Sequence, residues 1–320
     1  QYGFKAVVDS KTGITRYGLA THLRDAFPHA VFMGMTGTPT SAEDRDTQGV
    51  FGDYVDIYDV ADSQEDKTTV PILYEARVID LAYNEQIDSD LDADLDALLD
   101  DDQDDSVHDR AVSRLTRLES VAMAENRLGR LAGDLVNHWE ERLATLDGKG
   151  MIVAISRKAA VALYDEIIQL RPEWHDPDLI KGVIKVVMYS PASDPPELRA
   201  HALSAAQKKT LEKRLKDPDD PLKLVIVRDM WLTGFDAPSL HTLYVDKPMK
   251  GHGLMQAIAR VNRVWRDKPG GLVVDYIGIG PELRLAIAEY ANLTKTTEPP
   301  VDFIDNAVPV LLDTVDVIRA

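Results

Sequence analysis

Three polar side chains with the chemistry of phosphate recognition recur at helical spacing between His252 and Trp265. Gln256, Arg260 and Arg263 fall on one side of a predicted helix. The apolar residues of the segment predict a buried stripe on the opposite side: Leu254, Ile258, Val261 and Trp265. Guanidinium groups match phosphate oxygens, so the polar side predicts phosphate binding across a cleft. A solvated face with surface ion pairs is the alternative explanation.

The segment that precedes this helix reads as a strand, a loop and a second strand. Leu224 to Val227 is a short β-branched run, as expected of a buried parallel strand, and His241 to Asp246 reads as the next strand. The loop between them contains Thr233, Gly234 and Asp236. Small and polar residues let a backbone approach a ligand, so the loop is a candidate binding element.

The order of these elements resembles motifs V and VI of superfamily 2 helicases and translocases. The sequence from Leu222 to Tyr276, with TGFDAP and QAIARVNR, closely resembles the motor (R) subunit of type I restriction–modification enzymes. The resemblance implies ATP, with Mg²⁺, bound between this half and a first motor domain. It makes Arg260 and Arg263 arginine fingers and lets Gln256 position the nucleotide or a water. The resemblance also implies that Gly234 and Asp236 line the nucleotide cleft and that Thr233 links this cleft to DNA.

Two further sites are implied near the start of the chain and in the second half. Thr36 and Thr38 follow a predicted apolar strand from Ala30 to Met35, and the TGTP turn resembles motif III, which couples nucleotide and DNA sites. An ordinary hydroxyl-rich turn is the alternative, and the position of TGTP before motifs V and VI favours motif III. Ser156 ends a predicted strand where a helix N-cap belongs, at the position of motif IV, which touches the nucleic-acid backbone. Capping alone also explains Ser156.

Ser190 ends the predicted strand from Gly182 to Tyr189 and is a further candidate for nucleic-acid contact. The basic helix predicted from His201 to Lys216 allows phosphate contact, although a solvated face is the simpler interpretation.

The sequence lacks the parts that an independent motor needs. It contains no G-x-x-x-x-G-K-[ST] loop and no acidic Mg²⁺-binding box, and it shows no metal-ligand set of its own. It begins at Gln1, and we interpret it as a piece of a larger protein. We therefore expect the chain by itself neither to hydrolyse ATP nor to cut DNA.

Composition limits the partners. The net charge of −18 argues against a chain coated in basic nucleic-acid contacts but allows a locally basic groove. Much of the charge falls between Asp88 and Asp109, which we interpret as a mobile acidic linker. The absence of cysteine is compatible with a reducing compartment, and no signal peptide or membrane span is present. We expect a cytoplasmic protein whose partners are double-stranded DNA and the methyltransferase and specificity subunits.

The strand and helix patterns predict an α/β fold. Strands near residues 151, 184, 224, 242 and 272 alternate with helices, which predicts a RecA-like parallel sheet with helices on both faces. A helical pattern also covers Ala111 to Leu146, another covers Tyr17 to Phe27, and strand-like pieces occur at Tyr54 to Tyr58 and Val70 to Tyr74.

We expect four regions along the chain. They are the end of a first motor domain (1–60), a linker with the acidic run and the long helix (61–147), a second motor domain (148–280) and the start of a helical domain (281–320).

Two other functions remain open from the sequence. One is a different superfamily 2 motor, such as a repair helicase or a type III restriction subunit. The other is a non-catalytic module that binds partner subunits, in which case the aligned Gln256, Arg260 and Arg263 have no purpose.

Overall fold

The structure is a computed structural model. It describes residues 6–8, 15–17, 22, 25–35, 51, 53, 55–56, 58, 60–79, 118–119, 121–291 and 301–303. The strands are β1 (Ala6–Val8), β2 (Thr15–Tyr17), β3 (Ile72–Ala76), β4 (Lys149–Ala154), β5 (Ile184–Val187), β6 (Leu224–Val227), β7 (Leu240–Asp246), β8 (Gly271–Asp275) and β9 (Val301–Phe303). The α-helices are α1 (Val60–Glu65), α2 (Glu125–Thr145), α3 (Arg157–Leu170), α4 (Pro196–Arg199), α5 (Ala205–Lys216), α6 (Gly251–Ile258) and α7 (Gly280–Ala291).

The described strands form one large sheet and one small one. β1 and β2 pair antiparallel, and the other seven lie in the order β5-β6-β4-β7-β8-β3-β9. Every pair in the seven-stranded sheet is parallel. The five strands predicted near residues 151, 184, 224, 242 and 272 are confirmed as β4, β5, β6, β7 and β8.

Helices cover both faces of this sheet, as predicted. Side chains alternate along a strand, so Met151 and Val153 of β4 join one core while Ile152 and Ala154 join the other. α5, α6 and α7 bury their apolar residues in the first core, and α2 and α3 bury theirs in the second. The predicted long helix is observed over Glu125–Thr145, within the wider range that its sequence pattern indicated.

The segment before β3 joins the same sheet. β3 pairs in register with β8, with Ile72 opposite Gly271 and Ala76 opposite Asp275. The strand-like pattern predicted from Val70 to Tyr74 therefore corresponds to Ile72–Ala76, and part of the region expected to be a linker is built into the main sheet.

Two predictions of local structure near the start of the chain are wrong, and a third is correct only in part. Residues 30–35 form no strand, and Val31 and Met35 are 96% and 91% exposed. An apolar run becomes a strand only when a neighbour pairs with its backbone, and no described strand pairs with this one. The described residues between 54 and 58 are not in a strand either. Of the helix predicted from Tyr17 to Phe27, Tyr17 lies in β2, whereas residues 22, 25 and 26 are helical.

No helix among the described residues has both the length and the apolar character required to cross a bilayer.

Candidate functional site

Helix α6 is shorter than the sequence predicted, and this changes how the arginines are held. It ends at Ile258, whereas the apolar periodicity predicted a helix as far as Trp265. The amides of Arg260 and Val261 turn back to carbonyl oxygens three residues earlier, at 3.1 and 2.9 Å. Arg263 then forms an isolated antiparallel bridge with Thr69. A tertiary strand-like pairing has replaced the helix that periodicity favoured.

The predicted side chains still meet in one place. A pocket of about 350 Å³ lies between the end of α6, the β6–β7 loop and the residues just before β3. Its lining comprises Thr69, Thr233, Gly234, Gln256, Ala259, Arg260, Asn262 and Arg263. Five of the six residues assigned to catalysis or nucleotide binding therefore surround a single pocket, and Asp236 contacts it through Arg263.

Arg260 is anchored to the loop by its own side chain. Its Nη1 donates to the carbonyl oxygen of Phe235, and its Nε donates to the carbonyl oxygen of Gln256 at 3.1 Å. Partial burial lowers the pKa of Arg260, the positive charge of Arg263 adds to this, and Asp236 opposes it. An anion in the pocket would relieve that unfavourable positive potential.

Arg263 is held more loosely than Arg260. Its Nε lies 3.1 Å from Oδ1 of Asp236, and both side chains are about half exposed, at 49% and 55%. An exposed ion pair of this kind contributes little to stability. No hydrogen bond among the described residues uses the two Nη atoms of Arg263, so its fork is available to a ligand.

Gly234 provides access to the backbone of the loop. Its φ is +67°, in the left-handed region that favours glycine, and a Cβ built on it would meet no atom within 4 Å. The conformation favours glycine, and the space above the backbone is open to a ligand.

Two polar atoms in and beside the pocket lack hydrogen-bond partners among the described residues. The amide of Gln256 donates to Nε2 of His252, one turn earlier in α6. Within the described part of the chain, Oδ1 of Asn262 and Nδ1 of His252 are buried and lack hydrogen-bond partners. Such atoms carry a desolvation penalty that a ligand or water would relieve.

The composition of the lining fits an anion and does not fit a divalent cation. It contains two arginines and no Asp or Glu. No group of three or more His, Asp or Glu side chains is placed to hold a metal ion among the described residues. The pocket therefore suits the phosphates of a nucleotide, whereas the residues described do not provide ligands for Mg²⁺.

Ser156 and Ser190 lie elsewhere on the sheet. Ser156 caps α3, accepting a hydrogen bond from the amide of Ala159 at 3.0 Å, and Ser190 donates to Oδ2 of Asp194 at 2.7 Å. Both follow the carboxyl ends of their strands, whereas Thr69 and Arg263 precede the amino ends of β3 and β8.

Arg157 links the two serines, and the sequence analysis did not single it out. It follows Ser156 directly and binds Asp194 through both Nη atoms, and its Nη1 also donates to the carbonyl oxygen of Tyr189 at 3.0 Å. Thr36 and Thr38 lie outside the described residues.

Thr69, Asn262 and Lys268 were likewise missed. Thr69 is distant in sequence from the rest of the pocket and carries no local signal, because its placement depends on the bridge to Arg263. Lys268 is almost fully buried, and burial lowers its pKa to about 7, with the charge of Arg142 adding to the effect. Its Nζ donates to the carbonyl oxygens of Leu240 and Arg263, both at 2.8 Å.

Comparison with protein families gives two matches. The model for "Type I restriction enzyme subunit R domain 3" matches residues 197–278, which include the whole β6–β7 loop and the arginine segment. The model for "SWI2/SNF2 ATPase" matches residues 7–108.

Two curated relatives align over most of the chain. The "Type I restriction enzyme HindI endonuclease subunit" of Haemophilus influenzae is 51% identical over 298 residues, which are 92% of this chain and 27% of the relative. The "Putative type I restriction enzyme MjaIXP endonuclease subunit" of Methanocaldococcus jannaschii is 43% identical over 281 residues, or 87% of this chain and 26% of the relative. The chain thus spans about a quarter of the length of both.

A solved structure shares the fold. "The fragment structure of a putative HsdR subunit of a type I restriction enzyme from Vibrio vulnificus YJ016" matches with a TM-score of 0.55 and 16% identity, over 88% of this chain and 45% of that one. The predicted α/β fold with a RecA-like parallel sheet is confirmed by this match and by the observed strand order.

Proposed function

Because this chain is homologous to a segment of the endonuclease (R) subunits of type I restriction enzymes, we propose that it supplies the second half of an ATP-driven DNA motor. In this proposal residues 148–280 are the second motor domain, residues 1–60 end the first, residues 61–147 link them, and residues 281–320 begin a helical domain. The phosphate-binding loop, the acidic box and the nuclease belong to other parts of a longer subunit.

The observation that carries the proposal is the shared pocket. Gln256, Arg260 and Arg263 come from one segment, Thr233 and Gly234 come from another, and all five line the same space of about 350 Å³. A non-catalytic interaction module gives no reason for two arginines to converge with a glycine in a left-handed conformation. A cleft that binds the phosphates of ATP accounts for all of them.

Each residue has a defined role in this proposal. Arg260 and Arg263 stabilise negative charge that develops on the transferred phosphoryl group, as arginine fingers do in related hydrolases. Gln256 positions the attacking water or the nucleotide, and the open backbone at Gly234 lets the nucleotide lie close to the loop. Thr233 passes the state of the cleft to the DNA. Mg²⁺, when bound, would neutralise phosphate charge, and its protein ligands come from outside the described residues.

In this proposal Asp236 pairs with Arg263 when no nucleotide is bound. The pair is half-exposed and weak, so phosphate oxygens can replace the carboxylate without a large energetic cost. The planar fork then binds two oxygens at once, which a lysine ammonium does not reproduce.

Translocation needs a grip on the DNA backbone and does not require base recognition. We assign this grip to Ser156, Ser190 and the coupling residues Thr36 and Thr38. Opening and closing of the cleft during ATP turnover would move these backbone contacts along double-stranded DNA. The methyltransferase and specificity subunits are the proposed protein partners.

The test is ATP hydrolysis by the full-length subunit, with and without duplex DNA. We expect DNA to stimulate hydrolysis and Arg263→Ala to lower kcat by about 10³-fold or more, as for other arginine fingers. Arg263→Lys should recover little of the loss. An ATP hydrolysis rate that duplex DNA does not raise, or that is unchanged in Arg263→Ala, would instead favour the non-catalytic module that binds partner subunits.

The same proposal predicts that the 320-residue chain alone hydrolyses no ATP. Turnover by the purified chain that disappears in Arg260→Ala would contradict it.

A further inference from the structure

Arg263 lies beyond the end of α6, although the sequence periodicity predicted that this helix would include it. α6 ends at Ile258, and the turn that follows makes its last helix-like hydrogen bond at Val261. From there Arg263 depends on two contacts made by its main chain. One is the bridge to Thr69, and the other is a hydrogen bond from Lys268 to its carbonyl oxygen.

Lys268 is a buried lysine whose side-chain nitrogen contacts only carbonyl oxygens. It is 5% exposed, and its Nζ lies 2.8 Å from the oxygens of Arg263 and Leu240 and 3.5 Å from that of Pro238. It takes part in no ion pair among the described residues. An ammonium has three N–H donors, so three carbonyl groups match its capacity. A buried charge is tolerated only when its donors are used, which makes these contacts necessary for the side chain to be there.

The three carbonyl groups come from two of the three segments around the pocket. Pro238 lies at the end of the β6–β7 loop, Leu240 begins β7, and Arg263 lies in the arginine segment. The remaining side-chain links between these segments include Arg260 to the Phe235 oxygen and the half-exposed pair of Arg263 with Asp236. Lys268 is the buried link that acts directly on the main chain of Arg263.

We infer that Lys268 is the positioning residue of the site, holding the Arg263 backbone in fixed relation to the loop that carries Thr233 and Gly234. This inference rests on the proposed role of Arg263 in ATP hydrolysis. Lys268 does not line the pocket, so in this inference its effect passes through Arg263 and the loop.

The chain contains a matched control in Lys149. It is also fully buried, and its Nζ also donates to two main-chain oxygens, those of Asp220 at 2.7 Å and Leu222 at 2.6 Å. These oxygens belong to the turn before β6, and none of the three residues lines the pocket. Loss of the Lys149 ammonium therefore removes the same chemistry from a different place.

The first experiment measures kcat and KM for ATP in the DNA-stimulated full-length subunit. Lys268→Met should lower kcat by about 10²-fold, the cost expected of a displacement near 1 Å, with little change in KM. Lys149→Met should leave kcat nearly unchanged. In the double variant with Arg263→Ala, the Lys268 change should add no further loss. Losses that multiply, or equal kcat values for the two lysine variants, would overturn the inference.

Hydrogen exchange of the same proteins separates this inference from the proposed function. Lys268→Met should speed exchange in residues 233–240 and 262–264, and Lys149→Met should speed it around residues 220–224 instead. If Arg263→Ala leaves hydrolysis unchanged, the proposed function fails, while the exchange data still decide whether Lys268 positions the two segments. Unchanged exchange in both segments rules out positioning. Lys268→Gln keeps two N–H donors without the charge and should restore part of kcat, which covers the case in which Lys268→Met does not fold.

Discussion

At the scale of single residues, the site depends on how closely its segments approach one another. Gly271 opens β8, and a Cβ placed on it would lie 2.3 Å from the carbonyl oxygen of Val261. No side chain fits that distance. The glycine therefore allows the turn that carries Arg260 to rest directly on the sheet.

Gly271→Ala should consequently destabilise the protein by roughly 1–3 kcal/mol, because backbone atoms must move to make room. The free energy of unfolding in urea measures this directly. Gly253→Ala is the control, since it lies in α6 with nothing within 4 Å of the added Cβ and should raise stability by up to about 1 kcal/mol. Equal effects of the two alanines would show that the contact at Val261 is not limiting.

At the scale of elements, α2 is fixed to the sheet by a buried ion pair as well as by apolar packing. Arg127 donates to both carboxylate oxygens of Asp246, at the end of β7, and both side chains are almost completely buried. Burial raises the pKa of Asp246, and the hydrogen bonds from Arg127 oppose that shift. The region expected to be a linker is thus joined to the seven-stranded sheet by a buried ion pair in which each charge requires the other.

Arg127→Met should cost about 3–5 kcal/mol, because it leaves the Asp246 carboxylate buried without its counter-ion. Arg171, the residue that follows α3, offers a comparison, since it binds Glu140 of α2 through two hydrogen bonds of 2.6 and 2.7 Å on the exposed surface. Arg171→Met should change the urea midpoint only slightly, because solvent screens that pair. Comparable losses of stability in the two variants would mean that the buried Arg127–Asp246 pair contributes no more to stability than the exposed Arg171–Glu140 pair.

At the scale of the whole molecule, buried lysines contribute to the pH dependence of stability above neutral pH. Burial lowers the pKa of Lys268 to about 7 and that of Lys149 to about 8, from an ordinary value of 10.5. Between the lowered pKa of each lysine and its ordinary value of 10.5, the unfolded chain binds more protons than the folded one. The free energy of unfolding therefore rises with pH over this interval. The contribution is complete above 10.5 and is lost as the pH falls through 8 and 7.

We therefore expect the chain to be more stable towards urea at pH 9.5 than at pH 7. The rise should shrink in Lys268→Met and in Lys149→Met, and shrink most when both are changed. Measurements should stop below pH 10, where tyrosines such as Tyr164, whose pKa burial raises to about 12, begin to act in the opposite direction. A wild-type protein that loses stability over this interval would contradict the assignment.

The sequence predicted the sheet well because the information is local. A run such as Leu224 to Val227 is apolar and β-branched, and a strand buried on both faces needs nothing more to be recognised. Pocket residues were predicted for the same reason, since Gln256, Arg260 and Arg263 lie within eight positions of one another.

What the sequence did not reveal depends on contacts between distant residues. Periodicity placed Arg263 in a helix, but the bridge to Thr69 holds it in a strand-like pairing. Lys268 resembles any surface lysine until the three carbonyl groups around it are known. Val31 and Met35 show the opposite error, since a strand-like pattern without a described partner strand remained irregular.

The pairing of β3 with β8 also determines the earliest moment during synthesis at which β3 can join the seven-stranded sheet. At roughly 5–20 residues per second, the ribosome needs roughly 10–40 s to make the 200 or so residues between the two strands. During that delay β3 is a short apolar strand without its neighbour, a state that favours aggregation. The aspartates between Asp88 and Asp109 emerge shortly after it. These negative charges follow β3 in the sequence, and their repulsion opposes the association of β3 with other chains until β8 has been made.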